Sequence, residues 1–171
     1  EEKKLGIKGS STTQIILDNC KVPVENLLGE IGKGHKIAFN VLNVGRFKLG
    51  AGVTGAAKMA LVEAIKYANE RKQFGQPISN FGAIREKIAD LTADIFASES
   101  LVYRLAGLLD NKLATIDKSL DNYYEEYQRG IEEYAPECAI SKVFCSEVLA
   151  RTVDETVQIF GGYGYVSDYP A

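Results

Sequence analysis

The sequence predicts a mostly helical chain, an antiparallel helical bundle preceded by a short β fragment. Three observations carry this reading. Ile84, Ile88, Leu91, Ile95, Val102, Leu105 and Leu109 recur at alternating four- and three-residue steps, and only Ser98 is polar in that series. Such spacing is the buried seam of a long helix in a bundle. A second helical run, rich in small residues, precedes it, and β-forming residues are grouped only at the front of the chain.

Gly6 to Pro23 reads as extended chain. Thr12, Thr13, Ile15 and Ile16 are β-formers and Asp18-Asn19 supplies a turn. A lone strand is not stable, so this stretch needs partners that the remaining sequence does not offer. Helical patterning starts at Gly34 with Ala38, Val41 and Leu42 and continues to Ala68. Gly45, Gly50, Ala51, Gly52, Gly55, Ala56 and Ala57 make its middle slim. Glycine costs stability inside a helix, so this many predicts close approach of another helix or a ligand. Arg71 to Asn80 is a loop around Gly75 and Pro77. After the long seam, Asn111 to Tyr134 is polar and tyrosine-rich and predicts a short exposed helix. Pro136 suits the first turn of a last helix running to about Phe160, with Ile140, Phe144, Val148, Val153 and Val157 as its buried face. Gly161-Gly162-Tyr163-Gly164 ends it.

Composition narrows the function. The 171 residues carry 20 basic and 23 acidic side chains, well mixed, so no nucleic-acid footprint is expected. No apolar run is long enough to span a bilayer. Cys20, Cys138 and Cys145 lack metal-ligand spacing, and an odd number argues against a disulfide framework; they read as buried or idle thiols. With His35 the only histidine, neither a zinc site nor a Ser-His-Asp triad is expected. No metal is assigned.

Four motifs, in order on this helical plan, carry a resemblance. They are Val22-Pro23 through Gly29, Gly32-Lys33-Gly34, Glu70-Arg71-Lys72-Gln73-Phe74-Gly75-Gln76-Pro77-Ile78, and Val157-Gln158-Ile159-Phe160-Gly161-Gly162-Tyr163-Gly164-Tyr165. Together they resemble the acyl-CoA dehydrogenase family over essentially the whole chain. The resemblance implies that residues 1–25 end a middle β-domain and residues 26–171 form most of a carboxy-terminal helical bundle. It also implies FAD as cofactor, α,β-desaturation of a fatty acyl-CoA in β-oxidation, electron-transfer flavoprotein as electron acceptor, and a homo-oligomer, dimer or tetramer. The compartment expected is a bacterial cytoplasm or a mitochondrial matrix.

Site residues follow from the same resemblance. Arg71 matches an arginine that reaches the flavin pyrophosphate of a neighbouring subunit, and Phe74 lies against that flavin. Gln158, Gly161 and Gly162 match the loop at the adenosine end. Asn43 and Arg46 match the stretch lining the acyl-CoA site. Each also has a plainer reading from the residues alone. Arg71 suits a solvated cation at a helix carboxyl end. The Gln158–Gly162 loop suits a glycine-capped helix, and Arg46 suits an ion pair with an Asp or Glu inside the bundle.

No catalytic residue is assigned. The family keeps its base glutamate either just before the arginine matched by Arg46, where this chain has Gly45, or in a segment expected beyond Ala171. The chain by itself is therefore expected to be inactive. Leu42-Asn43-Val44-Gly45-Arg46-Phe47 and Asn80-Phe81-Gly82 resemble the very-long-chain branch, and the stretch from Asn111 to Pro136 resembles an insertion of bacterial long-chain enzymes. Two other readings remain: a non-catalytic helical assembly module, and an oxidase-like flavoenzyme on the same scaffold. An enzyme should expose Arg71 and the Gln158–Gly162 loop on faces that converge on a cofactor only once subunits pair, and an assembly module has no reason to present them.

Overall fold

A computed structural model describes residues 1–171, which divide into two compact units, Glu1–Gly34 and His35–Ala171. The first unit contains no strand. Its only regular element is a single 3₁₀ turn at Val24–Asn26, and Ile15, Ile16 and Leu17 are exposed. The β-forming stretch thus stays unladdered, because a strand needs a partner and none is present within this unit.

Four α-helices follow: α1 (Gly34–Glu70), α2 (Gly82–Ala114), α3 (Tyr123–Glu132) and α4 (Ala135–Phe160). Helix α2 runs through Ser98 without a break. The Ser98 hydroxyl is satisfied by donating to the Asp94 carbonyl at 3.0 Å, so one polar residue sits in the seam at little cost. Between α1 and α2, β1 (Lys72–Gln73) and β2 (Gln76–Pro77) form a two-strand antiparallel hairpin. A 3₁₀ turn at Ile78–Asn80 leads into α2.

Contacts fix the directions of the helices. Ala57 and Leu61 of α1 meet Leu91 and Ile95 of α2, whereas Ala64 and Ala68 meet Ile84 and Ile88, so these helices are antiparallel. Arg151 of α4 reaches Asp94 and Asp90, and Glu155 pairs with Lys87, which makes α2 and α4 antiparallel too. Helices α1 and α4 must then run parallel. Gly50 lies against Ser141, and the Ala60 carbonyl accepts from Thr156 ten residues further along α1. Parallel helices finish at the same end of a bundle. That simple consequence brings the two longest sequence motifs together.

Three sequence expectations are corrected. The buried face of α4 is Cys138, Ser141, Cys145, Val148, Thr152, Thr156 and Ile159, while Ile140, Phe144 and Val153 are exposed. Small polar residues form this face because Thr152 and Thr156 return their hydroxyls to the carbonyls four residues back, both at 2.7 Å. In α1, likewise, Val41 and Leu42 are exposed and Asn40 and Asn43 are buried. The slimness of α1 serves close helix packing at one glycine only. A Cβ on Gly50 would stand 2.4 Å from the Ser141 Oγ, whereas one on Gly45, Gly52 or Gly55 would meet nothing within 4 Å.

Candidate functional site

The end of the bundle where α1 and α4 terminate holds a cavity of about 520 Å³. Tyr67, Arg71, Gln73, Gly161, Gly162 and Tyr163 are among its lining residues. Arg71 is the first residue after α1, and its backbone is held on both sides. Its N–H donates to the Tyr67 carbonyl and its own carbonyl accepts from Ile78, both at 2.8 Å. The guanidinium lies over the Tyr163 ring, 5.5 Å from its centroid, a cation–π contact with the loop that follows α4. Arg71 is therefore partly covered and directed, and it is not simply a solvated cation at a helix end.

Gly161 turns the chain out of α4 with φ 60° and ψ −135°, a region open essentially to glycine alone. Its N–H donates back to the Val157 and Gln158 carbonyls. Gly162 has no neighbour within 4 Å of where a Cβ would be, so its backbone stays open toward the cavity. Gln158 is exposed on the last turn of α4 and does not line the cavity.

Phe74 stands at the tip of the β1–β2 hairpin and is 91% exposed. With Gly75 it forms the two central positions of the turn, and both have positive φ, 52° and 84°. That is the pattern of a type I′ turn, which favours Asn or Gly and strains a phenylalanine. A strained, exposed aromatic that buries only an edge contact with Phe81, 6.1 Å between centroids, is a site candidate on physical grounds.

Part of the cavity wall is an aromatic cluster that the sequence did not single out. Tyr67 stacks on Phe160 at 4.1 Å, and Tyr163 stacks on Tyr169 at 4.7 Å. Burial pushes the Tyr67 phenol above its ordinary range, with the Arg71 charge opposing. Tyr67 was findable: it precedes Arg71 by four positions, which puts the two on one helix face.

Asn43 and Arg46 lie at the other end of α1. They line a cavity of about 340 Å³ with His35, Lys36, Asn40 and Glu132. Arg46 donates to the Asn43 side-chain oxygen at 2.9 Å, so its partner is an amide and not the carboxylate of the plainer reading. Nearby, burial pushes the Cys138 thiol up, the Glu137 carboxylate adds to the shift and the Arg46 charge counters it. No group of His, Cys, Asp and Glu side chains is arranged to hold a metal.

The sequence profile of the acyl-CoA dehydrogenase C-terminal domain matches residues 32–171. The chain belongs to the acyl-CoA dehydrogenase family. It is 50% identical over 169 residues to a probable acyl-CoA dehydrogenase of Bacillus subtilis, covering 99% of this chain and 28% of that protein. Identity is 40% over 167 residues to the mitochondrial very long-chain specific acyl-CoA dehydrogenase of Mus musculus, covering 98% of this chain and 23% of that one. Among solved structures, an acyl-CoA dehydrogenase complexed with FAD from Bacillus anthracis superposes with a TM-score of 0.83 at 52% identity, covering 91% of this chain and 27% of that one. The chain thus spans about a quarter of the length of these acyl-CoA dehydrogenases. Among this chain's α-helices, none is long and apolar enough to cross a membrane.

Proposed function

We propose that this chain is the helical carboxy-terminal part of an FAD-dependent acyl-CoA dehydrogenase that desaturates a fatty acyl-CoA. In this reading residues 1–25 complete a β-domain, residues 26–171 belong to the bundle, and electron-transfer flavoprotein takes the electrons. The expected setting is a bacterial cytoplasm or a mitochondrial matrix. The observation that carries the proposal is the meeting of Arg71 with Gly161, Gly162 and Tyr163 around one cavity, from motifs about ninety residues apart.

The lining suits a dinucleotide. A planar, permanently charged guanidinium matches pyrophosphate oxygens. Open glycine backbone admits close approach of a ligand. Tyr67, Tyr163 and Phe160 offer aromatic surface beside it. Arg71, Gly161 and Gly162 would hold the cofactor, with Gln158 at the rim and Phe74 reaching it from the hairpin tip. The flavin, when bound, supplies the hydride acceptor for the desaturation. This chain's own part is to bind and orient, with Asn43 and Arg46 facing the acyl-CoA.

Uncovered apolar residues on the helices support a homo-oligomer. Phe39, Phe96 and Ile140 are 64%, 71% and 58% exposed, more than a free bundle face needs. Such surface alone would suit an assembly module equally, but an assembly module has no use for a strained, exposed Phe74 or for an arginine held over Tyr163.

The test is made in the full-length enzyme. Arg71→Ala should purify with much less flavin while its Tm stays within a few degrees of the parent, since deleting a loop side chain opens no core cavity. Arg71→Lys should restore flavin only in part, because an ammonium lacks the bidentate fork. Full flavin occupancy combined with a large fall in Tm would make Arg71 structural.

A further inference from the structure

The Asn40 side chain is nine-tenths buried and lies outside every motif that led to the site. Its Nδ2 donates to the backbone carbonyl of Gln128, on α3, at 2.9 Å. Its Oδ1 accepts from Asn43 Nδ2 at 3.1 Å. The Asn43 Oδ1 in turn accepts from Arg46 at 2.9 Å. The three bonds form one continuous chain from a backbone oxygen of α3 to the Arg46 guanidinium.

The direction of that chain is dictated by chemistry. A backbone carbonyl only accepts and a guanidinium only donates. Two amides joining them can be satisfied in one orientation alone, with each NH₂ pointing toward α3 and each oxygen pointing toward Arg46. The oxygen that Arg46 meets is therefore set, through Asn40, by the position of α3. Both amides are mostly buried, at 9% and 5% exposure, and turning either one would set oxygen against oxygen or NH₂ against another donor, which breaks the chain at two bonds.

We propose that Asn40 is a positioning residue for Arg46, and that α3 serves the substrate site as the anchor of this relay. The proposal rests on the reading of Arg46 as an acyl-CoA contact. It gives a role to the stretch between α2 and α4, which the sequence showed only as a polar insertion. Helix α3 is itself pinned where Gly130 packs on Leu113 and Ile116 and Lys112 pairs with Glu133. Asn40 then relays that rigidity along α1 to the guanidinium.

The experiment is a double-mutant cycle in the full-length, flavin-loaded enzyme: parent, Asn40→Leu, Arg46→Ala, and both together. Fatty acyl-CoA kinetics, flavin content and urea midpoint are measured for each. Asn40→Leu removes the relay with little change of volume. It should lower kcat/KM roughly tenfold, the scale of one net hydrogen bond lost from the Asn43 amide that holds Arg46, with flavin content unchanged. In the Arg46→Ala background the same substitution should change kcat/KM less than about twofold, since nothing remains to be positioned. Equal losses in both backgrounds, or no loss in either, overturn the proposal. If Arg46→Ala keeps the parent's kinetics, the substrate reading of Arg46 fails and takes the proposal with it. If Asn40→Leu does not fold, Asn40→Ser breaks the same link with a smaller polar group, and the same cycle decides.

Discussion

Gly50→Ala should destabilise the bundle even though it removes a glycine from the middle of a 37-residue helix. Two effects of opposite sign compete. Helix propensity alone favours alanine by about 1 kcal/mol. Against it, the new Cβ would stand 2.4 Å from the Ser141 Oγ and 3.3 and 3.4 Å from the Ser141 carbonyl oxygen and carbon. The backbone contacts are merely tight. The hydroxyl contact is not tolerable, so Oγ must swing to another rotamer in a site with no exposed surface. Overpacking of this kind costs about 1–3 kcal/mol, which leaves a net loss of roughly 0–2 kcal/mol once propensity is added. Removing the hydroxyl isolates the cause. Ser141→Ala alone should matter little, because the bond given for Oγ is a weak one to Cys145 Sγ at 4.0 Å. In that background Gly50→Ala should become stabilising by up to about 1 kcal/mol. The assay is urea unfolding of the four proteins, with Gly52→Ala as control because its Cβ would meet nothing within 4 Å. A coupling energy below about 0.5 kcal/mol between Gly50→Ala and Ser141→Ala would show that the two helices do not meet at this point.

Phe74→Asn relieves a side chain held at φ 52°. It should raise the unfolding midpoint slightly or leave it unchanged, by up to about 1 kcal/mol, while flavin content of the full-length enzyme falls; retained flavin would remove Phe74 from the cofactor site. Thiol titration at neutral pH should find one fast-reacting cysteine in the folded chain, Cys20, and three in denaturant, since Cys138 and Cys145 are buried and burial also holds the Cys138 thiol protonated. A second fast thiol in the folded chain would mean that α4 is not packed as described.

The class of the fold was legible because α2 carries its burial signal in aliphatic residues at regular spacing, and tertiary packing had only to agree. Helix α4 carries its burial signal differently. Its inner face sets Ser141, Thr152 and Thr156, residue types that read as surface, beside Cys138 and Cys145. They are affordable inside because the threonine hydroxyls are satisfied within their own helix, and the gain is a narrow helix that lies close to α1. The larger residues Ile140 and Phe144 then fall on an open face, where hydrophobicity marks a contact surface and not this chain's core. Arg71 and the glycine loop were legible as motifs, but their meeting depends on α1 and α4 being parallel, which no local pattern encodes. The bond from Asn40 to Gln128 spans 88 positions and was out of reach of any reading by spacing.

The two ends of α1 also constrain how many cofactors one chain can serve. Arg46 and Arg71 stand 25 positions apart on a helix that continues to Glu70. At 1.5 Å per residue this is about 37 Å. Under the proposed function, Arg71 lies where a flavin's pyrophosphate is bound and Arg46 faces the acyl-CoA, and we propose that it does so beside the flavin ring. Ring and pyrophosphate of one FAD are joined by a single ribityl chain, far shorter than that separation. On that reading the two arginines of one chain do not attend the same flavin. Each chain then serves one cofactor with the start of α1 and a second with its end, in keeping with the neighbouring-subunit flavin that the family resemblance implies for Arg71. A monomeric full-length enzyme that retained flavin and desaturated its substrate would break this inference. A dimer mixing one subunit changed at Arg46 with one changed at Arg71 would support it. Such a dimer should regain one intact site of two, because both lesions fall on the same flavin and leave the other untouched.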